Sequence, residues 1–211
     1  MTKLEFNIEQ ASQREFEDFV FNQKAHSHQG LVIIFDPKHN THRFIEMFRN
    51  AGSLLERYDL TNLERGCWAM FGPGDKGNLT DLIWNQDIPI EVKEELITSM
   101  YFMFRDIFAQ QPLGNACEMW WDGLAYEINP MKRAQPSTNL EHQRIQNAMF
   151  ETLSKVLLID SYDCQSAALH GLNHVLHPDN DRVIQAFINR HPDMTDEEIE
   201  YARMCSKGLA A

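Results

Sequence analysis

The sequence has no long apolar run. Leu31 to Phe35 and Val156 to Ile159 are typical of its apolar stretches, and a membrane-spanning helix needs about 20 such residues in a row. No membrane span is expected, and a membrane is not an expected partner. The first twenty residues carry acidic side chains and no apolar core, so no secretory signal is read and a cytoplasmic location is expected. Cysteine is sparse. The four residues Cys67, Cys117, Cys164 and Cys205 include no Cys-x-x-Cys pair, which argues against a zinc ribbon or a dithiol redox motif and for reduced, buried thiols. Positive charge is also scarce, with 19 Lys and Arg against 31 Asp and Glu and a formal net charge of −12. Such a field opposes binding to a phosphate backbone, and no basic stripe overrides it, so nucleic acid is not an expected partner. A phosphate loop is missing too: Lys76 is followed by Gly77 and Asn78 rather than Ser or Thr, so Gly72 to Asn78 is expected to be a surface turn. No Gly-x-Ser-x-Gly sequence offers a nucleophile elbow.

What remains is ordinary globular material with helical periodicity. The 211 residues, 43% apolar and 24% charged, suit one domain with its own core. Phe16, Phe19 and Val20 lie at helical spacing and predict a first helix near 10–24. Leu31 to Phe35 is bounded by Gly30 and Asp36-Pro37. It is read as a packed connection or the start of a helix, because one strand cannot make a sheet. Phe44, Met47 and Phe48 precede Ala51-Gly52, and Leu54, Leu55 and Tyr58 follow it, which fits two short helices or one bent helix. Thr61-x-x-Glu64 and Thr195-x-x-Glu198 are capping-box patterns and predict helix starts, and Gly208 suits the end of the last helix.

One spacing recurs. Val92, Glu95, Leu96, Ser99, Met100, Met103 and Phe104 share their offsets with Cys164, Ala167, Ala168, Gly171, Leu172, Val175 and Leu176, 72 residues later. Short acidic turns, Asp87 to Glu91 and Asp160 to Asp163, precede the two runs. The stretch from Val156 to His174, with its apolar helix end, acidic turn and Ala-Ala-Leu helix, resembles a HEAT-type repeat, and Asp87 to Phe104 resembles a more degenerate copy. The resemblance implies an all-α fold: an irregular HEAT-like α-α superhelix of stacked helical hairpins, forming one domain over 1–211. Within it, 1–58 would be a less regular N-terminal cap and 59–211 the helical-repeat body.

Two segments carry candidate chemistry. His170, His174 and His177 lie at i, i+4 and i+7 on one face of the expected helix. The first and third are about 10 Å apart along the axis, too far to share an ion. No metal and no other cofactor is expected; if an ion binds, His170 and His174 hold it. His26, His28, His39 and His42 form a second histidine-rich stretch, read as loop composition. The other segment is Glu118-Met-Trp-Trp-Asp122. Adjacent tryptophans on a helix point about 100° apart, so one would sit in the core while the other faces a groove. Trp120-Trp121-Asp122 resembles the Trp-Trp-Asp-x-x-Asp motif of HEAT-like DNA-alkylation-repair glycosylases, but Ala125 stands at the second aspartate's position. Glu118 and Asp122, at i, i+4, are read as a solvated face.

The expected binding surface therefore comprises Glu118, Trp120, Trp121, Asp122, His170, His174 and His177. The expected function is non-enzymatic binding of another protein, a basic one given the acidic charge. An inhibitor or immunity protein that neutralises a nuclease-type toxin would fit. The alternatives are a metal-assisted hydrolase using His170 and His174, or a diverged HEAT-like DNA glycosylase.

Overall fold

The computed structural model describes residues 5–22, 32–34, 36–71, 78–125 and 138–210. The Gly72 to Gly77 part of the expected turn, His26, His28, Leu31 and Phe35 lie outside these residues. The described chain is overwhelmingly helical, as its periodicity predicts, with one short exception. Val32–Ile34 (β2) pairs in parallel with Glu5–Asn7 (β1), Phe6 opposite Ile33. The run read as a connection or helix start is thus a strand. Its partner is three residues long, too short to show an alternating pattern in sequence.

The helices begin where local chemistry satisfies their free amides. Ser12 and Glu15 form a capping box ahead of α1 (Gln13–Phe21). Asp36 caps α2 (Pro37–Arg49), with proline in its first turn. A 3-10 turn (Ala51–Ser53) then leads into α3 (Leu54–Arg57), so the bent arrangement expected around Ala51-Gly52 is present. α4 (Leu60–Ala69) is capped by Asp59, whose side chain accepts from the Asn62 amide. The expected start at Thr61 is corrected by this earlier carboxylate, which leaves Thr61 inside the helix.

α5 (Leu79–Trp84), α6 (Ile90–Ser99) and α7 (Tyr101–Met103) follow, the last running into a π-helical turn at Phe104–Phe108. A 3-10 turn, Glu118–Trp121, continues as α8 (Asp122–Ala125). The C-terminal part comprises α9 (Leu140–Val156), α10 (Tyr162–Val175), α11 (Asn180–Arg190) and α12 (Asp196–Ser206). Thr195 and Glu198 form the expected capping box of α12, and Gly208 beyond it has φ +69°. Among the described residues, no helix is long and apolar enough to cross a membrane.

α10 lies at the centre of the C-terminal core. It packs on α9, on α12 and on the 3-10 turn that carries the two tryptophans. Small residues on α10, Ala167, Ala168 and Gly171, let that turn come close. A Cβ at Gly171 would sit 2.6 Å from Leu153 Cδ2 and 2.8 Å from Trp121 Cγ. The glycine is therefore required by the approach of two buried side chains. Both indoles are core, which corrects the expectation that one faces a groove. Trp120 is 1% and Trp121 0% exposed. Trp120 is ringed edge-on by Phe48, Phe71, Phe104 and Phe108, and Trp121 stacks on Phe104 with an interplanar angle of 22°. The π turn and the 3-10 turn are thereby locked to each other, and the residue after Trp121 is carried with them to the side of α10.

Candidate metal centre

That next residue is Asp122. Its Oδ1 lies 2.8 Å from His170 Nε2 and 3.2 Å from His174 Nε2, and the two Nε2 atoms are 3.0 Å apart. The imidazole planes stand at 86° to each other, one helical turn apart on α10. The His174 side chain is 5% exposed, that of His170 13% and that of Asp122 24%, so the cluster is sunk into the surface with one side open. Burial works against ionisation of Asp122. The hydrogen bonds donated by His170 and His174 outweigh it and hold the carboxyl well below the usual carboxylate range.

Three ligand atoms form a nearly equilateral triangle whose edges have hydrogen-bond lengths. If both Nε2 atoms carry hydrogen, each can donate to Oδ1, and the two nitrogens 3.0 Å apart share that one acceptor. If only one carries hydrogen, the bare nitrogen points its lone pair at the carboxylate oxygen. A cation above the triangle would engage all three atoms at once. Ligands on one face of an octahedral ion at ~2.1 Å are ~3.0 Å apart, against ~3.4 Å around a tetrahedral ion. The 2.8, 3.0 and 3.2 Å separations, ordinary hydrogen-bond lengths, would admit either ion with small shifts of the side chains. Two histidines and one carboxylate on a single face leave the remaining positions for water or a ligand.

The other expected surface residues are placed differently. α10 ends at Val175, and Leu176 takes the left-handed conformation at φ 50°. His177 is therefore off the helix, and the three-histidine face is corrected to a pair. His177 stacks on Phe150 at 3.9 Å, lies 3.0 Å from Asn147 Oδ1, and accepts at Nδ1 from the Asp179 amide. Burial lowers its pKa. Glu118 does not join the triangle; it lines a cavity of about 700 Å³ that His170 also borders. Trp120 and Trp121 act from behind, as the packing that fixes Asp122. The two histidines were visible in sequence as His-x-x-x-His. Asp122 was singled out through the tryptophan motif and not as their partner, since no spacing links positions 48 residues apart. Gly171 was seen only as a repeat position.

Set against known proteins, the chain matches no family model, no curated protein and no solved structure at a significant level.

Proposed function

We propose that this chain is a metal-dependent enzyme of the hydrolytic kind, holding one divalent transition cation on Asp122, His170 and His174. The observation that carries the reading is the closed triangle of ligand atoms, each within reach of one shared ion. An ion held by three protein groups keeps open positions, lowers the pKa of a bound water and polarises a substrate oxygen. Asp122 supplies the negative charge, and His170 and His174 supply neutral nitrogen. Trp121, packed against Gly171, seats Asp122 beside the two histidines.

The test is the untagged protein, assayed for bound metal and for hydrolysis of a panel of chromogenic esters, phosphoesters and amides. Stoichiometric metal is expected, together with an activity that a chelator removes, that zinc or manganese restores and that His174→Ala lacks. A chain that binds no ion above background contradicts the reading.

The protein-binding reading keeps its own support. The net charge of −12 favours a basic protein as partner. The packing of α9 on α10 and of α11 on α12, consecutive helices in each case, is what stacked helical hairpins need. The glycosylase reading has lost its chemistry, because buried indoles cannot stack on a nucleobase and Ala125 replaces the second aspartate.

A further inference from the structure

The cavity beside His170 lies between α10, α11 and α12, and its volume of about 700 Å³ is that of a small-molecule site. Its floor is apolar and aromatic. Leu169 and Phe187 are buried there, and Tyr201 and Met194 are partly buried. Its rim is acidic: Glu118, Asp193, Glu197 and Glu198 against the guanidinium of Arg190. The carboxylate of Glu198 is engaged by the Thr195 amide and hydroxyl. Glu118, Asp193 and Glu197 stand outside any ion pair among the described residues. Burial, Cys205 and the charge of Glu118 push the Tyr201 phenol up, so the ring remains neutral beside a carboxylate. An aromatic wall next to unpaired carboxylates selects a positively charged group attached to an apolar frame. The ammonium is drawn by the carboxylates and by the ring faces, while the frame covers the floor.

We propose that this cavity binds an organic cation, an ammonium or guanidinium on an apolar frame, with the far end of the frame reaching His170 and the ion it helps hold. Only the direction of that far end rests on the metal reading; the preference for a cation rests on the cavity. Two probes of one shape separate the possibilities: phenethylammonium and 3-phenylpropanoate, titrated by calorimetry into the full chain at low salt. One set of protein is metal-loaded and a second is treated with chelator.

Saturable binding of one phenethylammonium per chain is expected, about tenfold or more tighter than the carboxylate. In the double variant Glu118→Gln/Glu197→Gln the cation should bind about fivefold or more weakly, with the carboxylate unchanged or improved. Equal affinity for the two probes, no saturable binding of the cation, or indifference to the double variant overturns the proposal. Preference for the cation in chelator-treated protein that also proves unable to bind metal supports the cavity and removes the metal reading. Bound metal without that preference does the reverse.

Discussion

Among the described residues, two helices carry histidines close together, and on only one of them do the rings meet a carboxylate. On α2, His39 and His42 lie at i, i+3, and among the described residues they join no group of ligand atoms; His42 faces solvent. On α10, His170 and His174 lie at i, i+4 and close a triangle with Asp122. The difference lies in what each helix packs against. α2 rests on α1 and α6, whereas α10 receives the 3-10 turn at Glu118–Trp121 and, at its end, a carboxylate. Histidine spacing creates an opportunity on many helices. A third group, set by the packing of a separate segment, is what makes the α10 pair a candidate site.

That comparison can be broken from the packing side. Trp121→Ala removes a fully buried indole and is expected to cost about 3–5 kcal/mol, seen as a lower urea midpoint. It should also cut metal affinity, because Asp122 loses its seat. Gly171→Ala pushes a methyl into Leu153 and Trp121 and is expected to cost about 1–3 kcal/mol in the same measurement. It leaves all three ligands in the sequence, so loss of metal in this variant would show that position matters as well as identity.

The ligand side is sharper still. At an ion concentration of 100 times Kd the bound metal should stabilise the fold by about 2.7 kcal/mol. Asp122→Asn should cut that metal-dependent stabilisation to about 1.4 kcal/mol or less at the same ion concentration, while His39→Gln/His42→Gln should leave it intact. Thr195→Ala, which breaks the capping box of α12 away from the ligands, is expected to cost about 1 kcal/mol with metal binding unchanged.

The smallest expected effect belongs to His177. Its folded pKa is below the ordinary value, so the unfolded chain takes up the proton first as pH falls. The stability attached to the neutral ring is complete above the unfolded value of about 6.5 and is lost as pH falls through the folded pKa. Protonation also removes the acceptor that receives the Asp179 amide. His177→Phe, which keeps the stack on Phe150, should show a shallower fall in urea midpoint between about pH 7.5 and 5 than the parent chain.

Helix class was legible in the sequence because apolar spacing is local: α2, α6 and α10 lie where their periodicity puts them, and α12 starts where its capping box does. β2 was not, because its partner β1 is 27 residues away in register and only three residues long. The cap of α4 was misplaced because Asp59 and Thr61 are both competent, and only the backbone path chooses between them. Within the site, the pair His170 and His174 was legible from one turn of helix. Asp122 as their partner was not, since it depends on Trp121 and Gly171 meeting across the core. The separation of His177 depends on Leu176 adopting a left-handed turn with no glycine to announce it.

The most direct measurement is a cobalt(II) titration of the untagged chain, followed by its visible absorption, with Asp122→Asn alongside. One equivalent per chain is predicted, with an affinity at least about tenfold lower in the variant. No saturable binding, or binding that Asp122→Asn leaves unchanged, would contradict the claim that these three side chains form one metal centre.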